Sequence, residues 1–405
     1  MTETVEPAHR TTLQRQPIVR RDRSVFGYAV RAVVIGPDGT PTADERVEHL
    51  LDAEYRLLDV PALAGDRPVM LRATTRLFLG EQTPPATPHG LVLEVPPALV
   101  SRTDAIERLT ELHRCGVRSA LGGYRGSLGQ DVLLAFVDHV KVDVSLDPDQ
   151  LGTLVRRAHA AGATVIGERA DTPERIRVAT ELGVDLLQGP MFERRPATTG
   201  RDFTAGELQC LELLRLLSGR DAVQDRTAKI AHAVASDPEL TMRVLHLVNS
   251  TAAGVRQQID SVHQAVVLVG PQQLSALALA SLIEARPATV GVLWAALVRA
   301  LTCQTLVGSD AGYTMGLLSA VTAQQRLSVE DVVSRSGVSP DIAAALRDLA
   351  GPYGPALAAV LAHEENDSAG VRATGLEPFD VAHAYLAAVP EALATATALS
   401  VPFGP

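Results

Sequence analysis

At 405 residues the chain is long enough for two or three domains, and 46% hydrophobic against 21% charged residues is enough apolar material for real cores. Thirty-seven Lys and Arg stand against 47 Asp and Glu, a net charge of -10, which argues against nucleic acid as the main partner because neutralising phosphates takes a basic face. Cys115, Cys210 and Cys303 lie far apart with no CxxC pair, so neither a zinc knuckle nor a disulfide framework is expected.

Taken in chain order, residues 1–13 are polar, contain a proline and are expected to be flexible. The N-terminus lacks the basic-then-apolar pattern of a signal peptide. No uninterrupted apolar stretch reaches about 18 residues. The expectation is a cytoplasmic protein without a membrane partner. A cluster of four arginines between Arg15 and Arg23 reads as a solvated strand end.

From Gln16 to about Gly189, short β-rich runs alternate with amphipathic helical stretches. The runs are PIVR, FGYAVRAVVI, PVMLRA, LVLEV, GVRSAL, HVKVDV, ATVIG and VDLLQG. Ala43–Leu58, Arg102–Cys115, Pro148–Ala161 and Thr172–Leu182 carry apolar residues at helical spacing. This repetition predicts a closed α/β barrel of TIM type over residues 14–196. Residues 197–205 close a Pro-, Thr- and Arg-rich linker. From residue 206 to 405 the β pattern vanishes and an all-α domain is expected. Asp237-Pro238-Glu239 and Ser339-Pro340-Asp341 each offer an N-cap, a first-turn proline and an acid for the helix dipole. Ser261 with Gln264 fits a capping box.

In a barrel of this kind the functional residues sit at the C-terminal ends of the strands. Those ends carry Ala29, Arg72, Glu94, Gly122 with Gly123, Lys141 with Asp143, Glu168 and Gln188. The stretches GYAVRA, PVMLRAT, LVLEV, GVRSALGGY, HVKVDV, VIGERADT and LGVDLLQGPMFERRP resemble the EAL family of cyclic di-GMP phosphodiesterases. An active member needs two divalent cations to activate water and clamp the phosphodiester, and hard cations need many oxygen ligands. The resemblance implies a Glu ligand where this chain has Ala29, an Asn where it has Arg72, and an Asp-Asp pair where it has Gly122-Gly123. The substrate-contacting Arg of the naming motif falls at Val33, and a later Glu is shortened to Asp171. Glu94, Lys141, Asp143, Glu168 and Gln188 match.

With three ligand stations lost, no metal and no cofactor are expected, and no catalytic residue is assigned. A guanidinium at Arg72 would also repel a cation by roughly 4 kcal/mol at 4 Å and an effective dielectric of about 20. The bland reading of the survivors is structural. Lys141 and Asp143, two apart on one strand, both face the interior and are able to pair; Glu94 and Glu168 are neutralised by Arg72 or Lys141. A ligand-binding role is the alternative. Gly122, Gly123, Gly126 and Gly129 form a glycine-rich loop that lacks phosphate-cradle spacing.

Residues 236–274 resemble the signature of the HDOD family, through Asp237-Pro238, Arg243-Val244-Leu245, Val248-Asn249-Ser250, Ile259-Asp260-Ser261, Ala265 and Leu268-Val269-Gly270. HDOD domains look like HD phosphohydrolases that have lost their metal ligands. Ser319-Ala320 stands where an active enzyme would carry His-Asp. Asn249 and Ser250 suit a turn-and-cap role. His363-Glu364-Glu365 reads as a solvated helix end, and His246 as a core or cap histidine.

The sequence therefore predicts an EAL–HDOD signalling protein that acts through an unidentified protein partner, with a homodimer left open. The rivals are a cyclic di-GMP or other nucleotide receptor without turnover, and residual phosphodiesterase activity.

Overall fold

The computed structural model describes residues 10–22, 24–36, 41–42, 48–85, 90–190, 205–218, 223–251, 259, 261–282, 290–325 and 327–399. Most of the expected flexible terminus and all but the last residue of the expected linker lie outside these, as do Arg23, Asp260 and the side chain of Ser250.

Backbone contacts divide the chain into two compact units. The first comprises residues 1–193 with 362–372 and 377–386; the second comprises 194–361, 373–376 and 387–405.

The first unit is built on nine strands: β1 (Arg10–Arg20), β2 (Val25–Ile35), β3 (Pro41–Thr42), β4 (Val69–Arg72), β5 (Leu91–Val95), β6 (Arg118–Leu121), β7 (His139–Asp143), β8 (Thr164–Glu168) and β9 (Leu186–Gln188). Their order is β1-β9-β8-β7-β6-β5-β4-β2-β3, and an additional β1–β2 pairing closes all but β3 into the expected barrel. Strand β1 begins at Arg10 rather than at Gln14. It runs antiparallel to both β2 and β9. Only residues 21–24 separate it from β2, too few for the crossover a parallel pair requires. From β4 to β9 every pairing is parallel.

Helices cover the outside, and their starts follow from local chemistry. Asp147 accepts a hydrogen bond from Asp149 N with Pro148 in the first turn, and Thr172 caps Pro173–Glu181 in the same manner. Inside the barrel, Ile18, Ala29, Met70, Val92, Ala120, Ile166 and Leu186 form one apolar layer. Each comes from a different strand.

Three residues expected at the surface or in a core are placed otherwise. Arg15 is buried, its guanidinium 3.6 Å above the Tyr28 ring and its Nε donating to Leu63 O at 2.7 Å. Arg20 and Arg21 are the solvated members of that cluster. His246, expected in a core or cap, is exposed. His363 is buried, with its ring 4.8 Å from that of Tyr385. Residues 362–386 thus have an apolar anchor of their own, and Arg10 stacks 5.1 Å from the Phe379 ring. This explains why most of that segment groups with the barrel and not with the helical region in which it was expected.

The second unit is all helical. Asp237 Oδ1 accepts from Leu240 N at 3.1 Å to start the helix Pro238–Thr251, and Ser261 caps Val262–Val269. Gly270, at φ +78°, turns that helix into Pro271–Leu282. Helices Val290–Val307 and Asp310–Gln325 pack as a close pair. A Cβ on Gly312 would lie 2.4 Å from Cys303 O, and one on Gly316 would lie 2.8 Å from Arg299 O. The glycines, four apart, let one backbone approach the other. Val290–Val307 is long and apolar enough to cross a membrane by composition; most of it is buried within the protein, including Arg299.

Gly316→Ala presses a methyl group on the backbone of the facing helix and is expected to cost about 1–3 kcal/mol; urea denaturation of the purified variant measures it, and an unchanged midpoint contradicts the close packing.

Burial pushes the His363 imidazole down from its ordinary 6.5 to about 4. Its folded value lies below its unfolded value, so its contribution is fully present above about pH 6.5 and is lost as the pH falls towards 4. Between pH 7 and 4, His363→Phe is expected to lose about 3 kcal/mol less stability than the parent. Parallel pH profiles of the two denaturation midpoints would refute this.

Candidate functional site

Side chains alternate along a strand, so residues two positions nearer the mouth than the apolar layer (two later on the parallel strands, two earlier on the antiparallel β1) share its inward face. Those positions, towards the strand ends, are Gln16, Arg31, Arg72, Glu94, Gly122, Glu168 and Gln188. They surround the mouth of the barrel, together with Lys141 of β7. A cavity of about 570 Å³ opens there. Ala29, Arg72, Glu94, Lys141, Glu168 and Gln188 all line it, as sequence reasoning placed them; Gly122 and Gly123 are not part of its wall. Ala29 belongs to the apolar floor, and Arg31 stands above it. Sequence reasoning missed Arg31. Its signal was the period of two from Ala29.

Lys141 is the centre of the mouth. Its flanking Val140 and Val142 are fully buried on the outer face of β7, which turns Lys141 inward with 2% exposure. Nζ lies 2.7 Å from Glu94 Oε2 and 2.7 Å from Glu168 Oε1. Burial works against the ammonium, but Glu94 and then Glu168 outweigh it and raise the Lys141 pKa. At Glu94 burial likewise works towards the neutral acid, and Lys141, followed by Arg72 and Arg31, brings the net shift down. Lys141 and Glu94 thus favour each other's charged form.

The expected bland pairing of Lys141 with Asp143 does not form. Asp143 turns to the loop beyond β7, where Oδ1 accepts from Ser145 N at 2.8 Å and Oδ2 pairs with Arg169 at 3.2 Å. Arg72 is the register neighbour of Glu94 across β4 and β5. Among the described residues, however, it makes no ion pair with Glu94 or Glu168; Lys141, the nearer cation, holds both. Asp171 pairs with Arg175. Gln188 Nε2 donates to Gln16 Oε1 at 2.9 Å, and Gln188 Oε1 is buried without a partner.

A Cβ at Gly122 would lie 2.8 Å from Glu94 Oε1, so Glu94 has settled into the space of the missing side chain. Gly123, at φ +59°, lies in a loop tied to Gln130, whose Nε2 donates to Gly123 O and whose Oε1 accepts from Arg125 N. The glycine-rich loop folds on itself. The residues present do not fit a pair of divalent cations: an ammonium occupies the centre between the two surviving glutamates. Among the described residues no three His, Cys, Asp or Glu side chains converge as a metal set.

In the helical unit, Asn249 clamps the backbone of Ile259 from both sides, Nδ2 donating to O at 3.1 Å and Oδ1 accepting from N at 2.9 Å. This is the turn role expected of it. Ser319 is buried and accepts from Arg299 at 3.1 Å, while Ala320 is fully buried. Here too a buried cation stands beside a position where the family resemblance implies a ligand.

The HDOD domain family matches residues 212–319. A Vibrio cholerae protein named cyclic di-GMP phosphodiesterase CdgJ is 26% identical over 91% of this chain and 88% of its own length. An HDOD domain therefore follows a barrel of the kind the EAL resemblance implies. Bacillus subtilis YuxH is 23% identical over 64% of this chain and 65% of that relative. Among solved structures, Klebsiella pneumoniae BlrP1 in complex with calcium and cyclic di-GMP shares 19% identity at a TM-score of 0.37, covering 48% of this chain and 58% of that one.

Lys141→Met leaves Glu94 and Glu168 facing each other without a counterion and is expected to destabilise the first unit by about 3 kcal/mol. Arg72→Ala, which breaks no direct pair, is expected to cost about 1 kcal/mol or less. Paired denaturation curves check this; a larger loss in the Arg72 variant reverses the assignment.

Proposed function

We propose that this EAL–HDOD protein is a catalytically silent regulator that acts through contacts with other proteins. The observation that carries the reading is the Lys141 ammonium seated between Glu94 and Glu168, with Ala29, Arg72 and Gly122 at the remaining ligand stations. Two-metal hydrolysis depends on cations that bridge attacking and leaving oxygens, and an ammonium there supplies neither coordination nor an activated water. The second domain gives parallel support through Ser319-Ala320 and the buried Arg299 beside it.

A surface suited to a protein partner exists on the barrel. Leu128 and Val132, one turn apart on the helix Leu128–Leu133, are 86% and 58% exposed. Large apolar side chains grouped on one face mark interaction sites.

A second reading, a cyclic di-GMP receptor without turnover, is favoured by Arg31 and Arg72 in the cavity wall. The name of the Vibrio cholerae relative speaks for the third, residual hydrolysis. One assay separates them. Purified full-length protein is expected to leave cyclic di-GMP intact in saturating Mg²⁺ or Mn²⁺ over hours. Turnover that disappears in Glu94→Gln overturns the proposal; intact ligand retained by the protein in equilibrium dialysis supports the receptor reading.

A further inference from the structure

Arg31 and Arg72 stand side by side. Strands β2 and β4 are parallel neighbours with Ala29 in register with Met70 and Val30 with Leu71, which continues to Arg31 beside Arg72. Both residues line the same cavity. Neighbouring strands lie about 4.8 Å apart, and like charges directly opposite each other on a sheet are destabilising. Burial first, and then the charge of Arg72, lower the Arg31 pKa. Glu94 and Glu168 below offset part of this repulsion, but their direct ion pairs go to Lys141 at 2.7 Å.

Acidic residues line the same cavity. The turn Glu365-Asn366-Asp367-Ser368, part of the same compact unit, lines it with the arginines. It is firmly built: Asn366 takes φ +59°, its N donates to His363 O at 2.9 Å, and Asp367 Oδ1 accepts from Gly370 N at 2.8 Å to start the helix Ser368–Ala373. Gln16 Nε2 donates to Glu364 O at 3.3 Å and ties the turn to β1.

We propose that Arg31 and Arg72 form a metal-free site for the terminal phosphate of a phosphate monoester, with the Glu365–Ser368 turn as its intrachain competitor. Two guanidinium forks on adjacent strands suit the several oxygens of one phosphoryl group. Two fixed positive charges match a dianion better than the single charge of a diester phosphate. The cavity, at about 570 Å³, leaves room for the body of the ligand. The inference rests on the reading that the mouth holds no metal, and it says where a signal would enter: a phosphate on the arginine pair would share the cavity with the acidic side chains of the turn and be repelled by them.

The test is calorimetry on the full chain in EDTA, with guanosine monophosphate and pyrophosphate as probes and cyclic di-GMP as the diester control. Both probes are expected to bind without metal and cyclic di-GMP to bind at least about tenfold more weakly. Arg72→Ala and Arg31→Ala are each expected to weaken the probes about tenfold or more, and Arg72→Lys to weaken them less, with melting curves confirming that the variants fold. The double variant Glu365→Gln/Asp367→Asn keeps the helix cap and removes both charges; it is expected to bind about threefold to tenfold more tightly. No binding at millimolar probe, binding abolished by EDTA, or a preference for the diester overturns the site. Unchanged affinity in the double variant overturns the competition. Hydrolysis of cyclic di-GMP in Mg²⁺ would instead refute the silent-regulator reading, and the EDTA titrations separate that failure from this one.

Discussion

The barrel mouth depends on one buried ammonium. Lys141 lies 2.7 Å from each of two carboxylates, at a depth where burial works against an unpaired charge on Lys141 or Glu94. The network is self-consistent: both glutamates favour the charged lysine, and the lysine favours the charged form of Glu94. Glu94 is held low enough to fill the space beside Gly122. Arg72, although in register with Glu94, is left without a direct carboxylate partner among the described residues.

Each of the two domains places a buried cation beside a station where its family resemblance implies a metal ligand. In the barrel a lysine lies between the surviving glutamates. In the helical domain the buried guanidinium of Arg299 hydrogen-bonds Ser319, the residue where the resemblance to HD enzymes implies a histidine. Fixed side-chain cations are covalently part of the fold and need no loading step. They lend their positions rigidity but offer no exchangeable coordination sites. Such an arrangement suits a protein whose output is a contact.

Much of this was legible in the sequence. The alternation of β-rich runs and amphipathic helices set the barrel, because side-chain period and element spacing are local properties. The antiparallel first strand was not read from the sequence, although its signal is there: the runs PIVR and FGYAVRAVVI lie too close together for a parallel crossover. Asp237, Ser261 and Asn249 announced caps and a turn, and they perform those roles, because capping is decided within three or four residues of chain or by a single side chain reaching a nearby backbone group.

Pairing across the barrel was not legible. Whether Glu94 took Arg72 or Lys141, whether Lys141 took Asp143, and whether Arg31 reached the mouth all turn on shear and side-chain reach among strands far apart in sequence. Composition and spacing fix which charges exist; only closure of the sheet fixes which are neighbours. His363 shows the same limit. Its acidic neighbours in sequence suggested solvent, yet packing against Tyr385 buried it. The sequence by itself determined the elements, their order and the absence of metal-ligand residue types at three stations. The tertiary structure decided the charge network, because Coulomb energy depends on distances of a few ångströms between groups that the chain brings together only when folded.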